Sequence, residues 1–226
     1  MWRNVIEYKG FAIIPDVLAG KDIVDLGEAI ARSTLPRSRA GVRHFLRDST
    51  VAALARDPRL LSIAEEILGE SAIPFRATYF DKSHESNWLV VWHQDTALPL
   101  RERREAEGWG PWSLKEGVNY AHAPASALSK VIALRVHLDD STAENGPLRV
   151  LPGTHAGGVL SDEEVRSLAE RICAFDCLVP KGGVVVMRPL IVHSSSKSLG
   201  ANPRRVVHIE YATSLEVDGG LTLAIA

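Results

Sequence analysis

Residues 89–95 read Leu-Val-Val-Trp-His-Gln-Asp, an apolar, β-branched run that ends with an imidazole and a carboxylate two positions apart. Residues i and i+2 of a strand point to the same face, so the run predicts a strand from which His93 and Asp95 project together while Gln94 turns away. A second histidine, His193, ends a similar run, Leu-Ile-Val-His. Two histidines and one carboxylate leave one side of a metal open, an arrangement typical of non-haem Fe(II) sites.

A His-x-Asp triplet alone is a weak indicator, and the residues that follow the distal histidine add to it. Eleven positions after His193 comes Arg204, in the run Asn-Pro-Arg-Arg-Val-Val-His-Ile-Glu-Tyr, which predicts a strand opened by a turn. An arginine on a neighbouring strand can clamp a remote carboxylate with two charge-assisted hydrogen bonds. Arg205 is the alternative, because a one-residue slip exchanges the faces of a strand, and Arg204 is preferred.

Three further runs lie between the two metal motifs. They are Leu-Asp-Asp at 138–140, Glu-Asn-Gly-Pro-Leu at 144–148 and Leu-Pro-Gly-Thr-His at 151–155. In this order, together with Trp-His-Gln-Asp, the distal histidine and the late arginine, they resemble the phytanoyl-CoA dioxygenase family of Fe(II)- and 2-oxoglutarate-dependent oxygenases. The resemblance extends over about residues 76 to 211.

The resemblance assigns roles to particular residues. The implied iron ligands, which are also the catalytic residues, are His93, Asp95 and His193. The implied cosubstrate-binding residues are Arg204, Ser195, Thr78 and Arg135. The last of these departs from the family pattern, because the phytanoyl-CoA enzyme itself has a tryptophan at this point. Nothing in the chain resembles a handle for coenzyme A, so the family name does not indicate the substrate.

The resemblance also implies a reaction. With Fe(II), 2-oxoglutarate and O2, such an enzyme hydroxylates an unactivated C–H bond of a small-molecule metabolite and releases succinate and CO2. Related halogenases lack the carboxylate ligand, so the presence of Asp95 favours hydroxylation or desaturation. Two alternatives stay open: a cupin-type metal enzyme that does not use 2-oxoglutarate, and an inactive ligand-binding jelly roll.

The fold predicted from the patterning is mainly β, a double-stranded β-helix (jelly roll, cupin-like) with N-terminal helices packed on the outside. Apolar residues at helical spacing predict amphipathic helices over residues 20–33 and 57–68, within a helical layer of about residues 1–70. Short β-branched runs between glycines and prolines predict a β core over about residues 72–215. One helix, over residues 162–171, is expected inside it with Ser161 as its cap.

Length and composition agree with one domain over residues 1–226. A formal charge of -2 gives no electrostatic case for nucleic acid or an anionic membrane as partner, and a small-molecule substrate is the expected ligand. The N-terminus has no leader pattern and no run reaches the ~20 apolar residues of a membrane span, so the sequence predicts a cytoplasmic protein. Cys173 and Cys177 are expected to be core thiols. The oligomeric state is not readable.

Residues 98–130 are the least regular part of the chain and hold several arginines and aromatic residues. Such a segment after the metal-binding strand is a candidate lid that shapes the substrate pocket. In the equally weighted alternative, Trp109 and Trp112 only anchor a surface loop. An acidic substrate is favoured if the arginines Arg101, Arg103 and Arg135 point inward. The histidines expected to be structural or exposed are His44, His84, His122, His137, His155 and His208.

Overall fold

The structure is a computed structural model that describes residues 2–38, 41–83 and 86–226. The helices in these ranges are α1 (Trp2–Lys9), α2 (Gly20–Arg32), α3 (Ser49–Leu54), α4 (Pro58–Leu68), α5 (Ala125–Leu128) and α6 (Asp162–Arg171). The strands are β1 (Phe11–Ile14), β2 (Gly41–Val42), β3 (Ile73–Lys82), β4 (Val90–His93), β5 (Ala97–Leu100), β6 (Trp112–Lys115), β7 (Val118–His122), β8 (Val131–His137), β9 (Leu148–Val150), β10 (Phe175–Cys177), β11 (Val184–Met187), β12 (His193–Ser195), β13 (Arg204–Ala212), β14 (Glu216–Val217) and β15 (Leu221–Thr222). Short 3-10 turns cover Phe45–Arg47, Thr154–Gly157 and Asp218–Gly220.

Two antiparallel sheets build the core of the domain. The larger has six strands in the order β1-β11-β8-β13-β3-β2, and the smaller has four in the order β10-β9-β12-β4. Apolar residues of β8 and β11 pack between the sheets against β9 and β10, around Val150 and Val185. This is the predicted mainly β architecture, with two sheets that face each other across an interior.

The outer face of the large sheet is covered by the N-terminal helices, as predicted. In α2 the buried residues are Ile23, Leu26 and Ile30, at the spacing of one helical face. The carboxylate of Asp57 caps α4 by accepting a hydrogen bond from the Arg59 backbone N–H. Further along the chain, α6 begins after Ser161, whose hydroxyl caps it as expected.

The N-terminal layer contains strands as well as the predicted helices. β1 pairs with β11 at one edge of the large sheet, and β2 pairs with β3 at the other. The pattern missed β1 because periodicity cannot distinguish a four-residue apolar run from a short piece of helix. The β core therefore begins at Phe11 and not near residue 72.

Residues 97–122 are more regular than the sequence suggests. β5, β7 and β6 form a separate three-stranded sheet in that order. The turn between β6 and β7 has Glu116 and Gly117 at positive φ, as a two-residue hairpin loop requires, but glutamate is an unusual first residue for such a turn. Trp109 is buried in the core beneath this sheet, and Trp112 packs against the same core. Both tryptophans therefore anchor the segment.

Two smaller findings concern the sulfur residues and the membrane. Cys177 is a buried free thiol, as expected, but the expectation was wrong for Cys173, which is a free thiol exposed just after the end of α6. Among the residues that the structure describes, no helix has the length and the apolar character needed to cross a membrane.

Candidate metal and cosubstrate site

The three predicted metal ligands meet at one place, where His193 is buried and the side chains of His93 and Asp95 are 37% and 28% exposed. His93 and His193 lie opposite each other in the antiparallel pair β4 and β12, with ring centroids 4.2 Å apart. Asp95 lies just beyond the end of β4, where its backbone N–H donates to the Pro189 carbonyl at 2.9 Å. The Asp95 carboxylate is 3.7 Å from His93 Nε2 and 3.5 Å from His193 Nε2. One donor atom from each residue lies within 4.8 Å of the others.

Backbone carbonyls hold both imidazoles in the orientation that a metal needs. His93 Nδ1 donates to the Val91 carbonyl at 2.8 Å, and His193 Nδ1 donates to the Ile191 carbonyl at 2.9 Å. A carbonyl oxygen only accepts, so Nδ1 of each ring carries the proton and Nε2 keeps its lone pair for a metal. The sequence pattern did not identify these two partners, because each is a backbone atom two residues before its histidine.

Gln94 points away from the metal side, as the strand pattern predicts. Its amide nitrogen donates to the carbonyls of Gly158 and Leu190, and its amide oxygen accepts from the Leu160 N–H. These three bonds tie the chain between the two ligands of the His-x-Asp motif to neighbouring segments. The backbone next to Asp95 is therefore held in place although the residue lies outside the strand.

The charges of the three side chains suit a divalent metal. Burial opposes ionisation of Asp95, but nearby positive charge, from the two histidines when they are protonated and from Arg76, holds the pKa of its carboxyl well below the usual range. Desolvation lowers the pKa of His193 to about 4, against the opposing effect of Asp95, so its imidazole is neutral at pH 7. Metal ligands must be deprotonated, and two neutral imidazoles with one carboxylate are the donor set of non-haem Fe(II) sites. The residues present thus fit ferrous iron.

A pocket of about 130 Å³ extends from this site between the sheets. At its inner end, the Ser195 hydroxyl donates to the Gly146 carbonyl at 2.9 Å and accepts from Arg204 and Lys82 at 3.2 and 2.7 Å. Both cations are buried. No carboxylate lies within salt-bridge distance of either of them in the described ranges. The inner end therefore presents two buried cationic side chains to an anion.

Lys82 is a residue of this pocket that the sequence analysis missed. Arg76, Thr78, Phe80 and Lys82 all line the pocket from β3, because alternate residues of a strand share a face. Thr78 was selected from the sequence, and extending the same alternation by four residues finds the lysine. Burial, with Arg204 next, lowers the pKa of Lys82 to about 7.

Arg135 also lines the pocket, where it belongs to a buried chain of polar groups. Its guanidinium contacts His208 Nδ1 at 3.0 Å, and His208 Nε2 lies 3.3 Å from the carboxylate of Glu210. Glu210 in turn pairs with Arg76 at 2.5 Å. The acidic member of this set of polar groups, Glu210, therefore lies next to Arg76. Arg135 lies at the other end, and burial lowers its pKa.

The turn Glu-Asn-Gly-Pro at residues 144–147 contacts Ser195. Gly146 has a φ of +67°, and a Cβ at this position would stand 2.4 Å from the Ser196 carbonyl oxygen. The side chain of Asn145 holds the turn by accepting from the Thr142 N–H and donating to the Asp140 carbonyl, each at 2.8 Å. The motif thus brings the Gly146 carbonyl to the Ser195 hydroxyl.

The other candidate arginines lie away from the pocket. Arg205 forms a two-pronged pair with the Asp139 carboxylate at 2.7 and 2.8 Å, so its guanidinium is already satisfied. Arg101 and Arg103 are exposed, and Arg103 lies 3.5 Å from Glu105. Of the remaining histidines, His208 lines the metal pocket, His122 lies 2.7 Å from the Thr96 hydroxyl and His84 lies outside the described residues.

The fold and the site together define a class: non-haem metal oxygenases built on a double-stranded β-helix. The family model described as phytanoyl-CoA dioxygenase (PhyH) matches residues 6–206. The chain belongs to this family. It is an Fe(II)- and 2-oxoglutarate-dependent oxygenase, with O2 as the second cosubstrate.

The chain is also similar to a named relative and to solved structures. It is 26% identical to L-proline trans-4-hydroxylase from Streptomyces griseoviridis, over 89% of this chain and 82% of the relative. The fold is similar to EctD from S. alaskensis with bound Fe, at a TM-score of 0.70 and 20% identity, over 93% of this chain and 75% of that one. It is also similar to HygX from Streptomyces hygroscopicus with nickel and 2-oxoglutarate bound, at a TM-score of 0.68 and 16% identity, over 95% and 87% of the two chains. These similarities confirm the predicted fold.

Proposed function

We propose that the chain hydroxylates a C–H bond of a small-molecule metabolite, with ferrous iron held by His93, Asp95 and His193. The observation that supports this most is the convergence of the three donors, with both imidazoles oriented by backbone carbonyls. When bound, the iron and its cosubstrates supply the oxidising power for the C–H bond, and the protein fixes their position and excludes water.

The cosubstrate assignment rests on the cationic end of the pocket. Arg204, Ser195 and Lys82 present donors to one small volume, where the C5 carboxylate of 2-oxoglutarate would supply the missing negative charge. Two guanidinium nitrogens of Arg204, Nε and Nη1, are buried and without a hydrogen-bond partner among the described residues. Thr78 and Arg135 line the same pocket and are assigned to the flanks of the cosubstrate.

The same cations decide between the candidate functions. A cupin-type enzyme without 2-oxoglutarate has no use for buried, unpaired cations beside its metal, since each costs free energy of folding. An inactive ligand-binding jelly roll has no need for two imidazoles with fixed tautomers. The small-molecule substrate is consistent with the relative named as a proline hydroxylase. The cytoplasmic location stays a prediction from the sequence.

The test of the reaction is succinate formation from 2-oxoglutarate by Fe(II)-loaded protein in air, without a substrate and across a metabolite panel. Stimulation of succinate release by one metabolite, with a product heavier by one oxygen atom, is the expected result. If iron-loaded protein forms no succinate from 2-oxoglutarate with any metabolite, the proposal is contradicted. The cupin-type enzyme that does not use 2-oxoglutarate is then favoured.

Lys82 is expected to make 2-oxoglutarate binding depend on pH. Its pKa of about 7 in the free protein rises when the carboxylate binds, because a nearby negative charge favours the ammonium form. Binding above pH 7 therefore takes up a proton, and the Kd should increase by up to about ten-fold per pH unit between pH 7 and 8.5. Calorimetric titration of the anaerobic Fe(II) protein measures it.

The matched variant is Lys82→Met, which keeps a long side chain and removes the charge. It should bind 2-oxoglutarate more weakly at pH 7, with a Kd nearly constant over the same pH range. A wild-type Kd that does not change from pH 6.5 to 8.5 contradicts the assignment of Lys82 to the carboxylate.

A further inference from the structure

A second cavity, which we call the cationic cleft, opens beside the metal pocket towards the three-stranded sheet. Its volume is about 290 Å³, and it shares Arg76, Thr78, Phe80 and Asp95 with the metal pocket. Its outer wall is built by β5, β6 and β7. The cleft is thus the space next to the metal site that the predicted lid segment covers.

Among the described residues, two cations that line the cleft have no salt-bridge partner. Arg43 follows β2 and Lys115 ends β6, and neither has a carboxylate within salt-bridge distance in the described part of the chain. Burial and then the nearby positive charge of Arg43 lower the pKa of Lys115. Arg43 and Lys115 thus line the same cleft although 72 positions separate them in the sequence.

Neighbouring acidic groups lie closer to other side chains than to Arg43 or Lys115. Glu116 lies 3.8 Å from the ring of His44, and Glu210 pairs with Arg76 at the base of the cleft. Asp95 lies at the inner end, where its carboxylate faces the two histidines. Once a divalent metal binds there, its charge adds to the positive potential of the cleft.

The rest of the wall suits a small organic ligand. The ring of Tyr120 lies beneath Lys115, whose Nζ is 4.8 Å from the ring centroid. The Tyr120 hydroxyl is fixed by a 3.0 Å hydrogen bond with His44. His122 is held by a 2.7 Å bond with the Thr96 hydroxyl. A ligand thus meets preformed polar groups around an aromatic surface, as in most small-molecule sites.

We propose that the cationic cleft binds an anionic group of the substrate, a carboxylate or a phosphate, through Arg43 and Lys115. This places the remainder of the substrate against the open side of the metal site. The proposal names the substrate class of the oxygenase and therefore rests on the proposed function.

The test measures binding to anaerobic protein loaded with Fe(II) and saturating 2-oxoglutarate. The probes are N-acetyl amino acids and free amino acids, L-proline included, the primary amide of each, and a set of phosphate monoesters. Binding is followed by calorimetry and by the change in the visible absorption of the loaded protein. The variants are Arg43→Gln and Lys115→Gln, and Lys181→Gln, an exposed lysine away from the cleft, is the control.

The expected result is that the compounds that bind carry a carboxylate or a phosphate. Whether acids or phosphate monoesters bind then identifies the anionic group of the substrate. Replacing the acid by its amide, or either cation by glutamine, should weaken binding by about ten-fold or more, while the control binds like wild type. Equal affinity for acids and amides, unchanged affinity in both variants, or binding by no anionic probe overturns the proposal. Failure of the proposed function is distinguishable, because wild type then shows no absorption change with 2-oxoglutarate itself.

Discussion

Replacing His193 by alanine is expected to remove iron binding and 2-oxoglutarate turnover together. His193 is one of the three candidate ligands, and its ring centroid lies 4.2 Å from that of His93. Loss of a residue that merely supports a metal ligand costs 10- to 100-fold in affinity, so loss of the ligand itself should cost about 100-fold or more. Titration with Fe(II) under anaerobic conditions measures the affinity.

The control is His155→Ala, which removes a histidine that contacts the Glu7 carbonyl and lies outside the site. It should bind iron as the wild type does and form succinate at the same rate. If His193→Ala retains wild-type iron affinity while it is folded, the triad is not the metal site.

Replacing Arg204 by leucine should weaken 2-oxoglutarate binding and leave the protein at least as stable as before. The guanidinium would make two charge-assisted hydrogen bonds to the cosubstrate, each worth about 1.5 to 3 kcal/mol, so the Kd should increase by about 100-fold or more. In the unliganded protein the same cation is buried with two unpartnered nitrogens, so leucine removes a cost of desolvation. Calorimetry gives the Kd, and thermal unfolding of the metal-free protein gives the stability.

Arg205→Leu is the matched control on the same strand. It breaks the pair with Asp139, so it should lower stability slightly and leave the Kd for 2-oxoglutarate unchanged. The two arginines were hard to separate in the sequence, and this pair of variants separates them. If the effects on the Kd are reversed, the cosubstrate lies on the other face of β13.

The grouping of the three candidate metal ligands was readable from the sequence because they lie in short motifs with fixed order. A two-residue strand period relates His93 to Asp95, although the structure ends the strand between them. The same period, extended along β3 from Thr78, would have found Lys82. The carbonyls that orient the histidines are invisible in a sequence because every residue has one.

The cationic cleft could not be predicted from the sequence. Arg43 and Lys115 come from separate segments, and only the pairing of β6 with β7 and of β2 with β3 brings them to one cleft. The hairpin that carries Lys115 lacks the usual Asn-Gly or Asp-Gly turn, so residues 98–130 seemed irregular. Strand pairing between distant segments forms the cleft, and no local sequence pattern encodes that pairing.

The most direct test of the central claim is an anaerobic titration of the Fe(II)-loaded protein with 2-oxoglutarate, followed by visible absorption. Chelation of ferrous iron by the cosubstrate predicts a new absorption that saturates at one 2-oxoglutarate per iron and disappears in His193→Ala. Iron bound at the triad with no change in absorption at any concentration of 2-oxoglutarate would contradict the account.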